Sequence, residues 1–402
     1  MRPFASTISL EEARRLLAEH LRPITRKERL PLANAAGRVA AADVASPMHV
    51  PPFARSAMDG YALVSADVAG ASRDAPVRLR IADRIFTGQP SSQVVAPGSC
   101  AEIATGAPIP AGADAVVMVE ETTRAGEHHV DVFATARSGQ NIGRQGADIM
   151  RGDLVVRVGD ALNASRLGAV AAIGCSEVDV FAQPRVALVS TGNEVIDPGQ
   201  PLLPGQIYDV NRFTLAAVAQ EHGGVPEAHR PAQDTLGSLH ETLDRCRNAD
   251  IIVFSGGSSV GDRDLLVDLI AERGELVFHG IAVKPGKPTL FALVNNAPFF
   301  GMPGNPTSCL SNAYILLVPF LRATARLPIY PARTLRVPLG RRIVSQAGRH
   351  QFYTVRVTDG VAYPAFKASG DITSLSQADG YIEIPSTESV VEEGAMVTVT
   401  LF

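Results

Sequence analysis

Four apolar residues, Ile251-Ile252-Val253-Phe254, run directly into Ser255-Gly256-Gly257-Ser258-Ser259-Val260-Gly261, then into Asp262-Arg263-Asp264 and the helical apolar spacing of Leu265, Leu266, Leu269 and Ile270. A buried strand, a Gly-rich turn and a helix in that order form one crossover step of an α/β sheet. Backbone N–H groups in such a turn can approach an anion because no side chains stand in the way. The acids just beyond are placed to hold a hard cation against that anion. The segment reads as a phosphate site with a metal option.

The same grammar recurs on both sides of it. Val186-Ala187-Leu188-Val189 is a strand that ends in Ser190-Thr191-Gly192-Asn193-Glu194, and Phe299-Phe300 is a strand followed by Gly301-Met302-Pro303-Gly304-Asn305-Pro306. Asn211 is expected to cap one helix and Asp234 another, while Asn305 and Pro306 suit the N-cap and N1 positions of a third. The alternation predicts a doubly wound parallel sheet with helices on both faces. Upstream, Ser9-Leu10-Glu11-Glu12 opens a helix to about residue 20. The stretch from Tyr61 to about Val132 breaks into short apolar runs and reads as a small β domain. From about Leu335 the chain alternates in period two, as a small barrel or sandwich does.

Ligands of an open parallel sheet bind outside the carboxyl ends of its strands. That edge gathers Ser190 to Glu194, Asp209, Asp234, Ser255 to Asp264 and Gly301 to Pro306. Glu194, Asp234, Asp262 and Asp264 would crowd together there. Two carboxylates about 4 Å apart repel by roughly 4 kcal/mol at a surface-like dielectric, so a cation such as Mg²⁺ sits among them or some are protonated. Asp234 and Asp262 have an alternative as helix caps; Glu194 and Asp264 have weaker structural excuses. Lys284-Pro285-Gly286-Lys287-Pro288 supplies point charges for an anion.

The bulk composition narrows the function classes. Over 402 residues the net charge is −4, which leaves no electrostatic case for DNA, RNA or an anionic membrane. Ala313 to Leu321 is too short for a bilayer, which needs about 20 residues, and the charged N-terminus is no signal peptide. Cytoplasm is the expected compartment. Cys100, Cys175, Cys246 and Cys309 form no C-x-x-C pair and read as reduced thiols.

Taken together, the motifs resemble the molybdopterin molybdenumtransferases, the molybdate insertases that include the E domain of gephyrin. The matching text is Pro51 to Ala62 (with Ser56-Ala57-Met58-Asp59-Gly60-Tyr61), Ala104 to Pro110, Gly112-Ala113-Asp114, Gly139-Gln140-Asn141, Gly146-Ala147-Asp148, Ser190 to Glu194, Ser255 to Asp264, Lys284 to Pro288 and Gly301 to Pro306. The resemblance implies a multi-domain α/β plus β chain. Residues 1–50 and 140–180 would form an elongated discontinuous dimerisation domain, with a β domain, 51–139, inserted in it. Residues 181–327 would form the α/β molybdopterin-binding domain, and 328–402 a β barrel.

The implied reaction inserts molybdate into adenylylated molybdopterin, with Mg²⁺-dependent release of AMP. Asp59, Asp148, Glu194 and Asp264 would be catalytic, and Glu194, Asp234 and Asp264 would hold Mg²⁺. Thr105, Ser190, Thr191, Gly192, Asp209, Ser255, Gly256, Gly257, Ser258, Gly261, Asp262, Lys284, Lys287, Pro303, Gly304, Asn305 and Pro306 would bind substrate, with Ser369 a further candidate. The active cleft would lie between the subunits of a homodimer, and the molybdopterin adenylyltransferase and client molybdoenzymes are implied partners. At Gly143 and Gly280 the resemblance implies Arg and Lys instead. Those departures motivate the alternative of a weakened paralogue that holds the cofactor or acts as a scaffold. Adenylylation of the pterin is a third reading, disfavoured by the long terminal regions.

Overall fold

The computed structural model describes residues 7–257, 264–330, 332–345 and 348–402. Ser258, Gly261 and Asp262, expected in the phosphate cradle, lie outside the described residues. The chain divides into two compact units, one of Met1–Arg29, Gly37–Ala41 and Asp179–Phe402, the other of Leu30–Ala36 and Ala42–Val178.

The first unit is built on a six-stranded sheet. Its strands are β1 (Arg185–Ser190), β2 (Val225–Ala228), β3 (Ile251–Ser255), β4 (Gly274–His279), β5 (Leu290–Val294) and β6 (Ala297–Met302), in the order β2-β1-β3-β6-β5-β4. The first four are mutually parallel; β5 and β4 complete the sheet antiparallel. The expectation of an all-parallel sheet is therefore corrected at one edge. The physical reason is connection length: the short turn at Asn295-Asn296, both at positive φ, joins β5 to β6 as a hairpin, whereas a parallel step needs a long crossover.

Helices cover both faces. On one, α1 (Leu10–Glu19), α2 (Asn211–Glu221) and α6 (Val318–Thr324) bury Leu10, Ala13, Leu17, Leu215 and Leu321 against Leu188, Val253 and Phe300. On the other, α3 (Leu236–Arg245) and α4 (Leu265–Arg273) bury Leu239, Leu243, Leu266 and Leu269 against Val189, Phe254 and Phe299. Each fully buried Leu or Phe contributes about 1.5–3 kcal/mol. The Ser9 hydroxyl caps α1 through Glu12 N–H at 3.1 Å, but the Glu12 carboxylate turns to Arg15, so only half of the expected capping box forms.

In the same unit, the C-terminal residues supply five strands of a second six-stranded sheet, and Val283–Lys284 is the sixth, a short parallel strand against His350 and Gln351. The second unit contains a six-stranded sheet over Gly60–Leu63, Val77–Ile85, Ser99–Ile103, Ala115–Met118, Thr122–Arg124 and His129–Val132. This is the small β domain expected there, with Leu63, Cys100, Val117 and Val130 in its core. Asn163 caps the helix Ala164–Ala172 through Arg166 N–H at 3.0 Å.

Candidate active site

Register brings the three β–α loops together. Ser190 pairs with Ser255, and Ser255 with Met302, so β1, β3 and β6 end level. Their loops open onto a cleft of about 1070 Å³ lined by Ser190, Thr191, Gly192, Glu194, Asp209, Asp234, Ser255, Gly256, Gly257, Lys284 to Pro288 and Pro303 to Pro306. The C-terminal domain adds Arg349, Phe366, Ser369 and Ile372 to its wall. Of these, only Ser369 was legible beforehand. Arg349 and Phe366 carry no motif around them and reach the cleft by tertiary packing alone.

The glycines of the cradle are there for space. Gly256 has φ +97°, and a Cβ on it would lie 2.5 Å from the Thr191 carbonyl oxygen; on Gly257, φ +66°, it would meet Thr191 Oγ1 at 2.9 Å. Side chains at either position would therefore both strain the backbone and fill the cradle. Thr191 itself is 4 % exposed, and its Oγ1 has no hydrogen-bond partner among the described residues.

Asp209, 3 % exposed, accepts from Ser190 Oγ at 2.7 Å and Arg212 N–H at 3.1 Å, and its other oxygen lies 3.2 Å from Arg212 Nε. It therefore caps α2 in place of Asn211, whose Nδ2 instead donates to the Gly304 carbonyl at 2.8 Å. Asp209 orients Ser190 rather than offering a free charge to the cleft. Because the Ser190 proton is committed to Asp209, Ser255 Oγ is the donor of the 3.2 Å bond between the two hydroxyls.

The carboxylates differ from expectation in their excuses. Thr235, not Asp234, caps α3, through Ser238 N–H at 3.3 Å. The Asp234 carboxyl is pushed above the usual range by burial and then by the Glu194 charge, and its buried Oδ1 has no hydrogen-bond partner among the described residues. Asp264, conversely, caps α4 through Val267 N–H at 3.3 Å and lies 3.2 Å from His279 Nε2. No group of three or more His, Cys, Asp or Glu side chains assembles as a metal site among the described residues. Of the three carboxylates expected at the metal, Asp264 also serves the α4 N-terminus and lies beside His279, while Glu194 and Asp234 line the cleft together. That pair, with an orphaned oxygen and a raised pKa, fits a hard cation bound through few protein ligands and completed by water and phosphate.

Asn305 occupies the N-cap of α5 (Pro306–Asn312) with Pro306 at N1, but its side chain makes no cap. Its Nδ2 donates to Ser369 Oγ at 3.1 Å, and Thr307 donates its N–H to the Ser369 carbonyl and its hydroxyl to the Asp371 carbonyl. The cleft wall is therefore tied to the C-terminal domain.

Asp59, Thr105 and Asp148 lie in the other compact unit. Asp59 accepts from Thr105 N–H at 2.6 Å and Thr105 Oγ1 at 2.9 Å, which holds its carboxyl below the usual range. Asp148 is exposed, its N–H bonded to the Val50 carbonyl. Gly143 pairs with Arg55 across two short strands, and a Cβ on it would meet only the Arg55 side chain and carbonyl, at 3.5 Å or more. Gly280 is different: its φ of +93° disfavours any side chain.

The cleft at the strand ends of this mixed α/β sheet thus joins a glycine turn, neighbouring carboxylates and a lysine loop. Three family models match the chain in order: the MoeA N-terminal region (domain I and II) over residues 8–174, a probable molybdopterin binding domain over 187–323, and the MoeA C-terminal region (domain IV) over 336–402. The chain belongs to the MoeA family of molybdopterin molybdenumtransferases. Among curated relatives, molybdopterin molybdenumtransferase 2 of Mycobacterium tuberculosis is 36% identical, covering 96% of this chain and 97% of the relative. The molybdopterin molybdenumtransferase of Haemophilus influenzae is 36% identical, covering 78% and 77%. Two solved structures of MoeA proteins from Pyrococcus horikoshii superpose with TM-scores of 0.86 and 0.82, at 37% and 29% identity, covering 98% and 99% of this chain. They cover 99% and 100% of the solved chains.

Proposed function

We propose that this protein is a transferase of molybdenum cofactor biosynthesis that inserts molybdenum from molybdate into adenylylated molybdopterin and releases AMP. The observation that carries this reading is the cleft itself: a Gly backbone cradle with an unsatisfied Thr191 hydroxyl, Glu194 and Asp234 on one wall, and Lys284 and Lys287 on another. The names of the relatives point the same way.

In this reading the adenylate phosphate rests on the Thr191 hydroxyl and the Gly256-Gly257 backbone. Lys284 and Lys287 attract the oxyanions as point charges. Glu194 and Asp234 would hold Mg²⁺, which when bound neutralises charge developing at phosphorus. Their raised mutual repulsion without a cation is what a cation site of this kind shows. Asp59 and Asp148, kept with Thr105 on the other unit, would complete the site across the subunits of a homodimer, with residues 1–50 and 140–180 as the dimerisation domain. No helix among the described residues is long and apolar enough to cross a membrane; the working compartment in this reading is the cytoplasm, with the adenylyltransferase and client molybdoenzymes as partners.

The test is direct. Purified protein, adenylylated molybdopterin, Mg²⁺ and molybdate should yield AMP and an active cofactor. Nucleotide binding without AMP release would overturn the enzyme reading and assign the chain a cofactor-holding role, which the missing cations at Gly143 and Gly280 would then explain.

A further inference from the structure

The centre of the lysine loop, Gly286, is bonded to a buried amide. Asn312, the last residue of α5, is fully buried. Its Nδ2 donates to the Gly286 carbonyl at 2.8 Å and to Thr289 Oγ1 at 2.6 Å. Thr289, also fully buried, donates its own hydroxyl proton to the same Gly286 carbonyl at 2.9 Å. The Gly286 carbonyl assigns the orientation of the amide, because an amide oxygen in the place of Nδ2 would face that carbonyl oxygen.

Gly286 is packed onto that amide. Its φ is +100°, and a Cβ there would lie 2.2 Å from Asn312 Nδ2. Lys284 and Lys287 flank Gly286, and every residue from Lys284 to Pro288 lines the cleft. The chain after Asn312 widens into a π turn over Ala313–Leu317, a feature found mostly as a single turn at functional sites. Elsewhere in the loop, Val283 and Lys284 pair with His350 and Gln351, and the Ile281 and Thr289 N–H groups both donate to the Lys287 carbonyl. Gly286, between the lysines, has its carbonyl held by side chains alone among the described residues.

We infer that Asn312, acting with Thr289 through the Gly286 carbonyl, is a positioning residue that sets Lys284 and Lys287 for a tetrahedral oxyanion in the cleft. It touches no reacting atom itself. Removing it leaves the lysines present but displaced. The inference rests on the proposed function for the identity of the anion, molybdate or the phosphate of the adenylate, and the two are separated by measuring each.

Asn312→Ala should weaken anion binding by roughly tenfold to a hundredfold, as a displacement of about 1 Å of a positioned group does. Calorimetry with molybdate and separately with AMP reads this directly, and shows which anion the loop serves. Turnover should show a raised molybdate KM with a smaller change in kcat. Because a buried Asn→Ala change can also destabilise, Thr289→Val, which keeps the volume and loses the hydroxyl, is measured beside it. Thr289→Val should weaken the same anion, and Thr289→Ser should restore it. A variant cycle decides the route: Asn312→Ala added to the Lys284→Ala, Lys287→Ala double variant should lose no more anion affinity than that double variant alone. Additive losses, or unchanged affinity for both anions in Asn312→Ala and Thr289→Val, overturn the inference. Absence of turnover in the parent chain would overturn the functional reading instead, and the calorimetric affinities would still decide the role of Asn312.

Discussion

Asp264 separates two explanations that coincide in the sequence. Its carboxylate accepts from Val267 N–H at 3.3 Å as the N-cap of α4 and pairs with His279 at 3.2 Å; in the sequence it was instead expected to act as a catalytic acid or metal ligand. Asp264→Ala removes every one of these roles, whereas Asp264→Asn removes only the charge, because Asn caps as well as Asp. Loss of the cap costs about 0.5–2 kcal/mol. Loss of the negative charge at the helix N-terminus costs roughly 0.3–1 kcal/mol. The side chains of Asp264 and His279 are 20% and 21% exposed, and such a pair adds at most about 1 kcal/mol. Asp264→Ala should therefore lower the melting temperature by about 2–16 °C at about 2–4 °C per kcal/mol for a domain of this size, and Asp264→Asn by about half as much or less. Differential scanning fluorimetry gives both numbers, and AMP release is measured on the same samples with nucleotide binding as the control. Equal melting losses in the two variants would refute the capping argument. A stable Asp264→Asn protein with undiminished AMP release would refute a chemical role for the carboxylate; retained binding with lost release would establish one.

Further outcomes follow from the same geometry. Asp234 holds its proton more tightly folded than unfolded, because burial and the Glu194 charge raise its pKa. The native state therefore loses stability as pH rises from the unfolded carboxylate range through the folded value. Asp234→Asn should melt above the parent at neutral pH, with the gap closing below the unfolded carboxylate range and Mg²⁺ stabilising the parent alone; a gap independent of pH would contradict this. Gly256→Ala places a Cβ 2.5 Å from the Thr191 carbonyl at φ +97°, so it should cost more than about 1 kcal/mol and abolish nucleotide affinity by calorimetry. Burial pushes the Cys100 and Cys246 thiols up to about 12 and the Cys309 thiol higher still. Mass spectrometry after alkylation of the native protein at neutral pH should therefore find Cys175, the one half-buried thiol among the four, labelled first. Rapid labelling of Cys309 would contradict the packing of α5.

The β–α steps were legible because their information is local. Ile251 to Phe254, the Gly turn after them and the spacing of Leu266, Leu269 and Ile270 lie within one short window, and burial follows that pattern residue by residue. The caps were harder to read, because neighbouring candidates compete for the same N–H groups. Asp234 yields to Thr235, and Asn211 yields to Asp209 two residues earlier. Which one wins depends on backbone angles that the side-chain string does not encode. The antiparallel edge of the sheet was missed for a related reason, since β5 and β6 carry apolar runs that suit either direction.

The sequence by itself determined that strands would alternate with helices around a glycine cradle, that acids and lysines would gather at the strand ends, and which family supplies that combination. Only the tertiary structure decided how those groups are used. Asp209 turns to Ser190 and Arg212, Asp264 to a helix end and His279, Asn305 to Ser369, and Asn312 to Gly286. The physical reason is that charge and hydrogen-bonding capacity belong to a residue, whereas a partner within about 3 Å belongs to the packing of elements far apart in the chain.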